Sequence, residues 1–67
     1  MNNAIATYQI LSNTDALIEV SYPNGSFGME RVTKPRNGSL YETAYNAASI
    51  KATIQGYVLG RFSRVGG

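Results

Sequence analysis

Residues 16–26, which read ALIEVSYPNGS, decide the fold that this chain predicts. The first seven alternate Ala, Ile, Val and Tyr with Leu, Glu and Ser, and this period of two indicates a strand with one buried face. The Pro-Asn-Gly-Ser that follows contains Asn-Gly, the strongest short signal for a two-residue type I′ hairpin turn. The sequence therefore predicts an antiparallel hairpin, with the chain returning as a strand over residues 27–33.

This turn also sets the predicted register of the hairpin. With the Asn-Gly pair at its centre, Tyr22 lies opposite Phe27, and the aromatic pair helps to fix the alignment. Phe27 and Met29 then extend the buried face of the sheet. Glu30 and Val32 are predicted to lie on the opposite face.

The segments on either side of the hairpin complete the pattern of elements. Residues 4–11 alternate as a first strand, and residues 57–65 are rich in strand-forming types. Between them, Ser-Leu-Tyr-Glu at 39–42 matches the S-x-x-E capping box, and Gly56 suits a C-terminal cap, so a helix is predicted over residues 40–55.

Together these elements predict a small α+β fold in one domain over residues 1–67. The order is β-β-β-α-β, with a three-stranded antiparallel meander, one helix packed on one face of the sheet and a C-terminal edge strand. A right-handed crossover through the helix makes the last strand parallel to the third.

Two stripes of apolar residues run along the predicted helix. The first is predicted to pack on the sheet, so that Ile50→Ala costs about 2–5 kcal/mol. Its members are Leu40, Ala44, Ala47, Ile50 and Ile54. The second stripe carries Tyr41 and Tyr45, and two interpretations of it stay open. The tyrosines lean on the sheet margin with their hydroxyls in water, or they form part of a protein interface.

The residue types that are missing argue against an enzyme. The chain has no His and no Cys, and its four carboxylates are spread along the sequence as Asp15, Glu19, Glu30 and Glu42. General acid–base, nucleophilic and metal-dependent sites draw mainly on those groups. Phosphate-binding glycine motifs are missing as well. We therefore predict no catalytic residue, no metal and no cofactor.

Length and composition favour association with a partner. A chain of 67 residues buries only about 60% of its unfolded surface, and without cysteine it cannot add a disulfide. The charged fraction is only 15%, which suits a contact surface. The apolar runs are far shorter than the ~20 residues that span a bilayer, and the first residues lack the basic region of a secretory signal. We expect a cytoplasmic or virion protein that does not bind membranes.

The cations suggest an alternative partner, a nucleic acid. The second half of the chain holds all six cations against one carboxylate. Five of them are predicted to converge on one basic edge, because the third and last strands run in the same direction. They are Arg31, Lys34, Arg36, Arg61 and Arg64. Such an edge suits a nucleic-acid-binding accessory protein, whereas scattered solubilising charges are the other interpretation.

The face of the sheet without a helix is the main functional candidate. Its predicted apolar residues are Ile5, Leu11, Leu17 and Val32, and an apolar patch of this size marks an interface. The sequence thus predicts a small non-enzymatic protein-binding module that contacts another protein or a second copy of itself. In size and architecture, though by no shared motif, it is similar to phage-encoded inhibitors of host enzymes. A structural subunit of a larger assembly is a further alternative.

Overall fold

In the computed structural model, residues 3–66 are described, and they form a four-stranded mixed sheet with one helix on one side. The elements are β1 (Asn3–Ile10), β2 (Asp15–Ser21), β3 (Phe27–Thr33), α1 (Leu40–Ile54) and β4 (Val58–Arg64). The strand order is β3-β2-β1-β4, with β4 parallel to β1 and the other pairs antiparallel. The predicted α+β fold and its β-β-β-α-β order are confirmed.

Helix α1 begins and ends as the capping signals predict, within one residue. The Ser39 hydroxyl accepts a hydrogen bond from the Glu42 amide at 3.3 Å, and the Glu42 charge lies in the first turn, where the helix dipole favours it. Gly56 follows the cap residue Gln55 with a φ of +87°. This left-handed conformation stops the helix at little steric cost, since glycine has no Cβ.

The turn between β2 and β3 has three residues, so the predicted two-residue type I′ turn is wrong. The Gly25 amide donates to the Tyr22 carbonyl at 3.0 Å, and the Tyr22 amide donates to the Ser26 carbonyl at 2.9 Å. Gly25 is the one residue of this turn with a positive φ, of +92°. Pro23 explains the difference, because its fixed φ suits the second position of a type I turn, which a left-handed glycine then completes.

The extra turn residue reverses the faces of β3. Phe27 pairs with Ser21 and not with Tyr22, and a shift of one residue exchanges the two faces of a strand. Val32 is consequently buried under the helix with 7% exposure, whereas Phe27 and Met29 are exposed. The predicted positions of these three residues are therefore wrong.

The core between helix and sheet is built mainly from alanine. Of the nine residues described as buried, six are alanines, and only Ile18 and Val20 are large side chains that are completely buried. The helix contributes Ala44, Ala48 and Ala52. Small side chains let the helix approach the sheet closely, but they bury little apolar area.

The packed side of the helix lies between its two stripes, so the predicted packing stripe is right for Leu40, Ala44 and Ala47 and wrong for its last two members. Ala44 is buried as predicted, but Ile50 and Ile54 are 59% and 74% exposed. The physical reason is the aromatic area on the other stripe, because Tyr41 and Tyr45 reach Phe62 on β4. Packing two rings and three alanines on the sheet outweighs packing two isoleucines.

Candidate protein-binding face

The surface of the sheet opposite α1, here called the open face, is uncovered in the described chain. Strand register assigns its residues, because those paired across strands on this side alternate with the buried ones. Its apolar members within the strands are Ile5, Leu17, Phe27, Met29 and Val58. Leu11 and Val65 lie just beyond the ends of β1 and β4 and are also exposed.

Exposure of large apolar side chains is high on this face. Phe27 is 63% exposed, Met29 52% and Ile5 49%, and Leu17 is half-buried between its neighbours. Ser21 pairs with Phe27 on one side and Ile5 on the other, so a small serine is all that separates the two apolar side chains. The open face is therefore more apolar than the sequence predicts, although Val32 is not part of it.

Two carboxylates and two guanidinium groups lie on the open face. Arg31 donates to Asp15 Oδ2 from Nε at 3.0 Å and from Nη2 at 2.5 Å, and the Thr14 hydroxyl donates to Oδ1 at 2.9 Å. These hydrogen bonds hold the pKa of Asp15 below its ordinary value, and the bond from Arg31 makes the largest contribution. Glu19 and Arg61 have no ion-pair partner within 4 Å among residues 3–66. The formal charge of the face sums to zero.

The tyrosines of the helix flank belong to an aromatic cluster at the margin of the sheet. Tyr8 stacks on Phe62 with ring centroids 4.9 Å apart, and Tyr41 meets Phe62 edge-on at 5.4 Å. Tyr45 also meets Phe62 edge-on, at 5.4 Å. Tyr41 and Tyr45 still expose about half of their surface. They pack on the sheet margin and remain accessible, so both interpretations of this flank are compatible with the structure.

The five predicted cations do not converge on a single edge. β3 and β4 run in the same direction, but they are the two outermost strands of the sheet, about 14 Å apart at roughly 4.8 Å per strand. Arg31 is bound to Asp15, and Lys34 Nζ folds back to the carbonyls of Pro35 and Arg36 at 3.4 and 3.5 Å. Arg61 and Arg64 lie on β4. One end of the molecule is basic, but its cations are dispersed.

A second exposed apolar surface, the helix ridge, is formed by Ile50 and Ile54 on the outer side of α1. Next to it, Lys51 lies over β3 with Nζ 3.5 Å from Glu30 Oε1, which places Glu30 on the helix side. The ridge is not predicted from the sequence, because the spacing of the apolar residues assigns both isoleucines to the core. The signal that identifies it is the row of alanines at every fourth position, which marks the packed side.

Other kinds of site are missing from the part of the chain that the structure describes. Residues 3–66 form no cavity, and no three of their acidic side chains lie close enough together to hold a metal ion. Their one helix is too short to cross a membrane. Comparisons with protein-family models, with curated proteins and with solved structures gave no match to this chain. The surfaces described above are thus the basis for a functional assignment.

Proposed function

We propose that this protein is a small non-catalytic protein-binding module whose open face is the contact surface. The observation that carries the proposal is the exposure of Ile5 on β1 and of Phe27 and Met29 on β3, all on a sheet face without a covering element. Large exposed apolar side chains on one uncovered face are characteristic of interaction sites. A module of this type acts by occupying the surface of a larger protein, as an inhibitor or modulator does, or by assembling with itself.

The polar residues of the open face support the same function. Four uncharged polar residues lie between or beside the apolar residues, and the charged neighbours are Glu19 opposite Met29 and Arg31 opposite Leu17. The uncharged residues are Thr7, Gln9, Ser21 and Ser63, and such groups are easier to desolvate than charged ones. A chain without cysteine also suits a reducing compartment, so we place this function in the cytoplasm.

Site-specific photo-crosslinking tests the proposal. A photoreactive phenylalanine derivative is introduced at Ile5 on the open face or, as the control, at Ile50 on the helix ridge, which is similarly exposed. Irradiation of the producing cells should yield a protein adduct from position 5 and much less from position 50. An adduct of twice the chain mass identifies a second copy, and any other mass identifies a different protein. Either result supports the proposal, and failure to form an adduct from position 5 contradicts it.

Nucleic-acid binding is the second candidate, favoured by the cations at one end of the molecule. Arg36 and Arg64 have no ion-pair partner within 4 Å in the described chain. Binding through phosphates should weaken steeply with salt, with a slope of about −0.9 per contact in a plot of log K against log salt. Fluorescence anisotropy with a labelled duplex, at low and at moderate salt, measures this slope. Binding that is indifferent to salt, or no binding at low salt, removes this candidate.

A further inference from the structure

We propose that the open face binds a second copy of the same chain, so that two sheets pack face to face in a symmetric dimer. This inference rests on the proposed function and names its partner. Sheets that pack on each other lie about 10 Å apart with their inner side chains interdigitated. In this arrangement Ile5, Leu17 and Phe27 of each copy become part of a shared core, and the helices lie on the two outer sides.

The dimensions of the molecule fit such a dimer. Its extents are 35 × 22 × 15 Å, so it is a thin two-layer slab with two broad faces. The open face lies within an outline of 35 × 22 Å, which is of the same order as the roughly 800 Å² that each partner buries in a stable interface of standard size. The helix ridge offers only two isoleucines beside the Lys51–Glu30 ion pair, which is a much smaller apolar area.

The charges of the open face favour a second copy over a charged partner. Asp15 and Glu19 balance Arg31 and Arg61, so two such faces meet without net repulsion. Asp15 and Arg31 already neutralise each other within one chain. Glu19 and Arg61 remain available to pair across the interface, which is self-complementary in a two-fold dimer. A nucleic acid, by contrast, gains no net attraction from this face.

The small core of the monomer is the thermodynamic reason to expect a dimer, because it buries little apolar area. Ile18 and Val20 are the largest completely buried side chains, and alanines fill most of the rest of the described core. Single cores in domains of this size supply only about 3–5 kcal/mol, and oligomerisation is one of the usual additions. A second copy is present whenever the chain is made, so a sheet-to-sheet contact provides the missing apolar burial without a dedicated partner.

Sedimentation equilibrium of two matched variants tests the dimer. Ile5→Glu places a carboxylate at an apolar position of the open face, and Ile50→Glu makes the same change at a similarly exposed site on the helix. The unmodified chain and Ile50→Glu should sediment at twice the 7.2 kDa of one chain. Ile5→Glu should raise the dimer Kd about thirtyfold or more, the effect of losing a strong apolar contact of an interface. Circular dichroism checks that both variants are folded.

A measurement on the unmodified chain keeps the inference testable if Ile5→Glu does not fold. Methyl NMR signals of Ile5 and Leu17 should shift on dilution, whereas those of Ile50 and Ile54 should stay constant. Shifts confined to the helix methyls, an Ile5→Glu variant that still dimerises, or a monomer at high micromolar concentration would each overturn the dimer. A monomer that nevertheless crosslinks to a different protein through position 5 leaves the proposed function intact.

Discussion

Gly25 closes the β2–β3 turn with a φ of +92°, and through that turn it determines which side chains of β3 reach the core. This left-handed backbone conformation is strained for a residue that has a Cβ, whereas glycine adopts it at little cost. The Asn24 side chain supports the same turn by accepting hydrogen bonds from the Ser26 amide at 3.0 Å and from its hydroxyl at 2.6 Å. Correct register thus depends on a few residues at the surface of the molecule.

Gly25→Ala should lower the free energy of unfolding by about 1–2 kcal/mol, the cost of a left-handed conformation for a residue with a side chain. Gly28→Ala is the matched control, because its new Cβ would lie 3.6 Å from Lys51 Cε, an ordinary contact. This control should be neutral or stabilising by up to about 1 kcal/mol. Urea denaturation of both variants measures the difference, and equal stabilities would exclude the proposed role of the turn.

Asp15 should make the stability of the protein depend on acid pH. Hydrogen bonds from Arg31 and Thr14 lower the pKa of Asp15 in the folded state below the 3.8 typical of an exposed aspartate. The ionised Asp15 therefore stabilises the folded state fully above about pH 4. This stabilisation is lost as the pH falls through the lowered pKa, because Asp15 binds a proton more tightly in the unfolded chain than in the folded one. Carbon-13 NMR titration of the Asp15 carboxyl measures this pKa.

The variant Arg31→Gln isolates the cause of that shift. It removes the largest contribution, so the pKa of Asp15 should rise toward its ordinary value and stability should start to fall at higher pH. Asp15→Asn should remove this part of the pH dependence. An unchanged Asp15 titration in Arg31→Gln would show that the ion pair does not form in solution.

At the scale of elements, α1 shows that helix orientation depends on close packing as well as on apolar character. Ala44, Ala48 and Ala52 are completely buried, so no space remains for larger groups between α1 and the sheet. Ile50 and Ile54 lie on the outer side of α1, and because they are exposed they contribute little to the stability of the monomer.

In α1, enlarging a buried alanine should therefore lower the stability of the protein, whereas truncating an exposed isoleucine should leave it almost unchanged. Ala48→Leu overpacks the interface with the sheet and should cost about 1–3 kcal/mol or more. Ile50→Ala removes an exposed side chain and should change stability by less than about 0.5 kcal/mol, in place of the 2–5 kcal/mol expected for a core site. Thermal denaturation in the Ile5→Glu background, which we expect to be monomeric, compares the two variants without interference from association.

The sequence predicts some features of these elements well and others poorly, for identifiable reasons. Strand alternation and the Ser39 cap are local signals, so the number, order and limits of the elements are predictable. The faces of β3 depend on one residue in the turn, and Asn-Gly alone suggests the wrong turn. Reading Pro23 and Gly25 together as the second and fourth residues of a type I turn gives the correct one.

The candidate site is predicted in part for the same reasons. Ile5 and Leu17 are assigned to the open face because β1 and β2 are read in the right register. Phe27 and Met29 are not assigned to the open face, and Val32 is wrongly assigned to it, because the wrong turn exchanges the two faces of β3. The packed side of α1 is marked in the helix sequence only by its row of alanines, since the aromatic partners Tyr8 and Phe62 are supplied by distant strands.

At the scale of the whole molecule, a dimer through the open face couples stability to concentration. Ligands or partners that bind only the folded state raise its apparent stability by mass action. The thermal midpoint of the unmodified chain should therefore rise with protein concentration, whereas that of Ile5→Glu should be lower and constant. Differential scanning calorimetry over a wide concentration range measures both. A midpoint independent of concentration in the unmodified chain would contradict a stable dimer.

The parallel pairing of β1 with β4 has a kinetic consequence. Ala4 pairs with Leu59 and Ala6 with Phe62, so these contacts close a loop that contains every other element. The two hairpins close over only a few residues and form on a faster timescale, whereas closing a long loop is costly in entropy. The pairing of β4 with β1 should thus be the slow step of folding. Until residues 58–64 have been synthesised, the backbone of β1 keeps an unpaired edge, which leaves the nascent chain vulnerable to aggregation.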